Sequence, residues 1–395
     1  MRKVVFILVV LLYSNCSKNT ETVESYFGFD IPKDTIDSYL DSKMMANKIN
    51  GLSLAIVNNG EIVYSFRKGF ANKEKQIPVT SSTIFEGASI SKPVFAFFVM
   101  TFVEDKTLDL DQPLYTYLPK EEIAHDERYK KITARMVLSH QSGFQNWRED
   151  DVDKKLKIQF EPGTKYFYSG EGYQYLAEVI KHLLKTNWKG LENEFQKRVA
   201  KPLGLKNTVF VQNDEIRKQK ATPYDENSKE IDWKNNYWFQ KNDTVFSAPA
   251  SIHSEITDFS KWMIAIMNKE SLSEKSYQEL LQPHSKIPEE EIPLSYTLGF
   301  VKPEIPFTNI YMHGGNNIGF TSYFVLDTKK KWGFVLFTNS EYGEQLGLEL
   351  FYYTLAGPSK TKIYIILIFG LLVVLSIFTY LIKKILKFVR RKINK

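Results

Sequence analysis

An α+β fold is what this 395-residue sequence predicts: an antiparallel sheet flanked by helices, a helical subdomain, and a C-terminal transmembrane helix. Three observations lead there. β-rich runs occur near both ends of the main body, helical periodicity fills the interval, and an uncharged apolar stretch of 20 residues lies near the C-terminus. Strands at both ends with helices between imply a sheet closed by distant segments.

Arg2 and Lys3 precede ten residues, Val4–Tyr13, that are too short to span a bilayer and are built like a signal-peptide core. Residues 1–16 are therefore read as a signal peptide, and 17–44 as an N-terminal segment. Cys16 follows the apolar run and is the only cysteine, so no disulfide within the chain supports the fold. Its setting resembles a bacterial lipoprotein signal, although Tyr13 and Asn15 depart from that pattern. Lipidation of Cys16, ordinary cleavage and a retained anchor all stay open.

Residues 45–355 read as one catalytic unit. Leu52 to Gly69 holds two strand-like runs joined at Asn58-Asn59-Gly60, a hairpin signal. A second pair, Thr321–Leu326 and Trp332–Thr338, is separated by Asp327–Lys331. Between the pairs, Tyr173, Leu176, Val179, Ile180, Leu183 and Leu184 recur at helical spacing, as do Trp188, Leu191, Phe195 and Val199. The polar stretch from about 213 to 245 carries Trp233, Tyr237, Trp238 and Phe239, which suit either a cleft wall or loop packing.

Ile363–Ile382 carries no charge, and a helix of 20 residues spans about 30 Å, the thickness of a bilayer core. The bases of 383–395 would place that tail in the cytoplasm and the body outside it. The expectation is a single-pass protein of a bacterial cell membrane, with the membrane among its partners. The overall charge of +6 fits this orientation. Ten bases and no acids lie in 1–16 and 362–395, leaving 42 bases against 46 acids in 17–361. A basic nucleic-acid face on the body is excluded on that count.

The chemistry centres on Ser89-Ile90-Ser91-Lys92, just ahead of a long apolar run. Residues three apart on a helix share a face, so Lys92 can reach the Ser89 hydroxyl. A serine needs such a base, and a lysine can serve if burial lowers its pKa from about 10.4. Pro93 is tolerated in a first turn, which predicts a helix beginning near Ser89. Ser65–Lys68 and Ser359–Lys362 repeat the spacing without a helix start.

Further blocks accompany the pair: Leu108-Asp109-Leu110-Asp111-Gln112-Pro113; Ile132 to Phe144 (ITARMVLSHQSGF); Glu161-Pro162-Gly163; Tyr166 to Tyr173 (YFYSGEGY); Pro202-Leu203-Gly204-Leu205; and His313-Gly314-Gly315. In order and spacing, from about 45 to 340, they resemble the serine β-lactamase-like family: class C β-lactamases, penicillin-binding DD-peptidases and related esterases. The motifs of class A relatives are of the same kind.

The resemblance implies a DD-peptidase-like fold and a serine hydrolase that works through an acyl-enzyme, with no cofactor and no metal. It makes Ser89 the nucleophile, Lys92 its proton acceptor and Tyr168 the residue that passes a proton to the leaving group. His313, with Gly315, corresponds to the third motif, which completes the proton network and binds substrate. The backbone amides of Ser89 and Asn316 would form the oxyanion hole. Gly170 stands where the second motif usually ends in Asn, which disfavours efficient β-lactam turnover.

The implied substrates are D-amino-acid peptides, peptidoglycan-derived ones included, then small amides and esters, then β-lactams. The competing reading is a non-catalytic or slowly deacylating sensor of the same fold. His140 reads as a structural hydrogen-bonding residue, and His125, His182, His253 and His284 show no metal-ligand spacing.

Overall fold

The computed structural model describes residues 21–232 and 244–358. β1 (Thr22–Glu24) and β2 (Asp30–Pro32) pair as a short antiparallel ribbon. α1 (Lys33–Ala46) follows and buries Ile36, Leu40 and Met44, four residues apart on one face. β3 (Gly51–Asn58) and β4 (Glu61–Asn72) form the hairpin that the sequence predicts. Its two turn residues, Asn59 and Gly60, have φ of +53° and +79°, the left-handed geometry that tight hairpin turns need.

β5 (Ile77–Pro78) lies at the sheet edge, and β6 (Phe85–Ala88) leads into α2 (Ser91–Glu104). Then come α3 (Ala134–Leu138), α4 (Gly170–Leu183), α5 (Trp188–Phe195) and α6 (Asp214–Gln219). β7 (Ile252–Ser254) returns to pair with β6 and is followed by α7 (Ile256–Asn268) and α8 (Glu274–Leu281). The chain then makes β8 (Ser285–Ile287), β9 (Leu294–Tyr296), β10 (Val301–Pro303), β11 (Ile310–Asn317), β12 (Phe320–Asp327) and β13 (Trp332–Thr338). α9 (Gly343–Ala356) ends the described chain.

Nine of these strands form one antiparallel sheet in the order β5-β4-β3-β13-β12-β11-β10-β9-β8. The early hairpin thus lies beside the late pair, with Leu52 opposite Thr338 and Val57 opposite Gly333. β3, β12 and β13 are buried along their whole length, as strands covered on both faces are. Their side chains alternate between two cores. Ala55, Val57, Phe324, Leu326, Val335 and Phe337 face the helical body around α2, α4 and α7. Leu54, Ile56, Val325, Phe334 and Leu336 face α1 and α9. α2 is buried almost all round, including every residue from Ser91 to Met100, so its start is held rigidly at the core's edge.

The expected transmembrane helix is corrected here. Among the described residues, no helix is long and apolar enough to cross a membrane. The longest run 14 residues, about 21 Å against the roughly 30 Å of a bilayer core, and α2, the most apolar of them, is already covered by protein. Among the described residues the architecture is an α+β sheet-and-helix body with no such helix. The tether, the membrane as partner and the single-pass location at a bacterial membrane therefore have no such helix among the described residues to support them. Residues 363–382, the basic tail 383–395, the signal 1–16 with Cys16, and the aromatic residues 233–239 lie outside the described residues.

Candidate active site

Ser89 sits between β6 and α2, which begins at Ser91, two residues beyond the serine near which the sequence predicts its start. Ala88, immediately before it, has φ of +49°, a strained setting for a residue with a side chain. The turn is closed by Ile90 N–H donating to Gly87 O (3.2 Å) and Lys92 N–H donating to Ser89 O (3.1 Å). Ser89 is partly exposed, while Lys92, one turn on, is completely buried.

Lys92 Nζ lies 3.1 Å from Ser89 Oγ and donates to Pro249 O at 3.0 Å. It stands 4.4 Å from the centroid of the Tyr168 ring and 5.7 Å from that of Tyr173. Burial pushes the Lys92 amine well below its usual range. In the neutral amine the contact with Ser89 reverses, and the hydroxyl donates to the nitrogen lone pair.

Burial holds the Tyr168 phenol above its ordinary pKa, outweighing the lowering influence of the nearby Ser89. It is therefore a phenol that gives a proton rather than a resident phenolate. Its backbone is set by the next residue. Ser169 caps α4, its Oγ accepting from Gly172 N–H at 3.0 Å, and its own N–H donates to His140 Nδ1 at 3.0 Å. His140 thus has the structural role read from the sequence, inside a cage of Tyr166, Tyr168, Tyr173 and Tyr296.

His313 on β11 closes the other side, its ring centroid 6.4 Å from that of Tyr168. Both its nitrogens are engaged: Nδ1 with Gly314 O at 2.5 Å and Nε2 with Tyr296 Oη at 3.0 Å. A carbonyl only accepts, so Nδ1 carries the proton and Nε2 accepts from the tyrosine. Burial, helped by Lys92, brings the imidazole down to about 3, so His313 is neutral. The third motif therefore presents no cation to a substrate.

Gly315 explains itself by contact. A Cβ there would lie 2.4 Å from Gly87 O and 2.9 Å from Ser89 N, so only glycine lets β11 reach the serine's strand this closely. Asn316 follows, exposed, opposite Thr321 of β12. Next to it, Asn317 Nδ2 donates to Glu86 Oε2 at 2.7 Å.

Glu86 escaped the sequence reading. Its fully buried carboxylate also accepts from Lys220 Nζ at 2.5 Å and lies 3.6 Å from His253 Nε2. Those partners hold it at about 2 against the cost of burial. Tyr296 and the Pro249 carbonyl were missed as well, and only the identity of Glu86 within Phe-Glu-Gly-Ala-Ser offered a signal: a carboxylate in an otherwise apolar strand. An open cleft of about 530 Å³ beside Tyr166, lined also by His284, Lys286 and Glu304, adjoins this region but does not include Ser89. Among the described residues no group of three or more His, Cys, Asp or Glu side chains could hold a metal ion.

Comparison with known proteins places this geometry. A family model described as beta-lactamase matches residues 36–357. Protein flp of Staphylococcus aureus (strain MRSA252) is 23% identical over 339 residues, 79% of this chain and 64% of flp. The chain thus spans less than two thirds of that curated relative's length. The octameric penicillin-binding protein homologue from Pyrococcus abyssi superposes with a TM-score of 0.71 at 21% identity, covering 84% of this chain and 79% of that one. D-amino acid amidase from Ochrobactrum anthropi SV3 superposes with a TM-score of 0.67 at 21% identity, covering 82% and 97%. At such identities the two structures establish the shared fold. With the family model spanning most of the described residues, the chain belongs to the beta-lactamase family, whose fold is that of serine hydrolases.

Proposed function

We propose that this protein is a serine hydrolase that acts through an acyl-enzyme on small, uncharged amides and esters. The observation that carries the reading is the fully buried Lys92 amine 3.1 Å from Ser89 Oγ. Ser89 Oγ attacks the substrate carbonyl as its proton passes to Lys92, forming a C–O bond and an oxyanion. The amides of Ser89 and Asn316 hold that oxyanion; loss of one such donor typically costs about 10²–10³ in rate. Tyr168 gives its proton to the departing amine or alcohol as the C–N or C–O bond breaks, and Lys92 returns a proton to Tyr168. Water then attacks the acyl-enzyme, the same groups moving its proton in reverse.

The preference for uncharged substrates rests on His313. A neutral imidazole whose nitrogens are both occupied supplies no fixed charge for a substrate carboxylate. Among the substrates that the resemblance implies, amides and esters of D-amino acids therefore precede peptides with a free terminal carboxylate, and β-lactams come last. The D-amino acid amidase of similar fold was solved with an amide bound, in keeping with this order. Gly170 keeps one alternative in view, a slowly deacylating sensor.

The purified chain should react with a fluorescent phosphonate and hydrolyse nitrophenyl esters and D-amino-acid amides, and Ser89→Ala should abolish both. Labelling and hydrolysis unchanged in Ser89→Ala would overturn the mechanism. Stoichiometric acylation by the ester, with no turnover, would favour the sensor.

A further inference from the structure

The strand that carries the second oxyanion amide is held unevenly. Among the described residues β10 pairs with β11 at a single position, Val301 with Met312, so the stretch from Gly314 to Asn317 has a paired strand, β12, on one side alone. On the side of the nucleophile a side chain takes over. Residues two apart on a strand share a face, so Asn317 points the same way as Gly315, whose position lies against Gly87 and Ser89. The buried Asn317 carboxamide places Nδ2 2.7 Å from Glu86 Oε2 and 3.3 Å from Ala250 O, and its two hydrogens serve both acceptors.

Each acceptor is tied to the reacting groups. Glu86 stands on β6 three residues before Ser89, and Lys220 Nζ holds its other oxygen at 2.5 Å. Ala250 follows Pro249, whose carbonyl accepts from Lys92 Nζ at 3.0 Å. The same segment runs on into β7, which pairs with β6 at Glu86 and His253. There Ile252 N–H donates to Ser91 Oγ (2.9 Å), and Ser91 Oγ donates to Ala88 O (2.5 Å), which completes a frame around the nucleophile's turn. One carboxamide thus joins the strand of Asn316, the strand that ends at Ser89 and the segment that seats Lys92.

We propose that Asn317 is a positioning residue whose carboxamide fixes the distance between the Asn316 amide and Ser89, and with it the fit of the oxyanion hole to the tetrahedral intermediate. It touches no substrate. A donor to an oxyanion acts fully only when it is in place before the charge develops. The bond to a carboxylate already buried and paired is charge-assisted, which suits it to hold a strand end that the sheet secures on one side only. The inference rests on the acyl-enzyme reading above, with Asn316 as the second donor.

Steady-state hydrolysis of a nitrophenyl ester, with inhibition by phenylboronic acid, tests it. The boronate forms an O–B bond with Ser89 Oγ and mimics the tetrahedral intermediate, so its Ki reports the hole while KM reports binding of the ester. Asn317→Ala should lower kcat by about 10²-fold, the cost of a group misplaced by about 1 Å, weaken phenylboronic acid by a similar factor and leave KM nearly unchanged. The hydroxyl of Asn317→Thr carries one hydrogen and can serve only one of the two acceptors. That variant should fall between Asn317→Ala and the native protein in both readings, and it serves alone if Asn317→Ala fails to fold. Native kcat and Ki in a folded variant would overturn the proposal, as would a loss carried by KM with kcat retained, or a loss of kcat with Ki unchanged. Ester hydrolysis that persists in Ser89→Ala would instead remove the acyl-enzyme reading and this inference with it.

Discussion

Asn317 Nδ2 donates to Glu86 Oε2 across 2.7 Å, and that bond ties the strand leading to Ser89 to the strand that carries His313, Gly315 and Asn316. Of the two amides assigned to the oxyanion hole, that of Ser89 directly follows the first strand and that of Asn316 lies on the second. Glu86→Ala removes the carboxylate that Lys220, Asn317 and His253 share. Breaking such a buried pair costs about 3–5 kcal/mol, readable in urea denaturation. Because the folded carboxyl is held at about 2, Glu86 contributes fully above its ordinary value near 4.5 and loses its contribution as pH falls toward 2. The native protein's acid denaturation should therefore steepen in that window, and Glu86→Gln should lack that component.

Lys92 carries an opposite sign. Its pKa is depressed by burial, so the unfolded chain binds a proton there that the folded chain does not. The lysine therefore opposes folding at neutral pH, and the penalty fades only as pH rises toward 10.5. Lys92→Met should raise the melting temperature at pH 7 while lowering kcat by about 10²–10⁴, the usual worth of a general base. In the native enzyme, log kcat/KM should rise with pH and level off well below 10.

Tyr296→Phe should leave His313 Nε2 without its donor inside the protein. An acceptor stranded in this way costs about 1–3 kcal/mol. The imidazole also becomes easier to protonate, so a new acidic limb should appear in the pH–rate profile of this variant. Stability and profile both unchanged would show that the tyrosine does not set the histidine's state.

Gly315→Ala has no room: the added methyl meets Gly87 O at 2.4 Å and Ser322 Oγ at 2.5 Å. β11 must move away from β6, and one oxyanion donor moves with it. The expected loss is about 10²–10³ in kcat with a far smaller change in KM for esters, measured by steady-state kinetics.

What could be read from the sequence was what depends on neighbours along the chain. The Asn59-Gly60 turn, the pair β12–β13 and the helix 170–183 each carry their own local pattern. So does the Ser89–Lys92 spacing. β11 was hidden because its residues, Ile-Tyr-Met-His-Gly-Gly-Asn-Asn, alternate poorly and include two glycines that its neighbours demand. The Glu86 cluster was hidden because its members stand at 86, 220, 253 and 317, and nothing short of the folded sheet brings them together. Gly170 was visible as a departure, but its reason, the Trp147 ring 2.7–2.9 Å from where a Cβ would lie, stands 23 positions earlier and shows only in three dimensions.

The pairing of β3 with β13 bears on how the protein comes into being. Gly333 to Thr338 must find Val57 to Leu52 across more than 270 residues of intervening chain. Contacts of that separation form late and slowly. A ribosome that has delivered Ser89, Lys92 and Tyr168 has delivered every reactive group of the first two motifs, yet the sheet that supports them still lacks its middle. Synthesis therefore passes through a long interval in which the chain holds its reagents without holding their arrangement, and the sheet that arranges them closes only once β13 has been made.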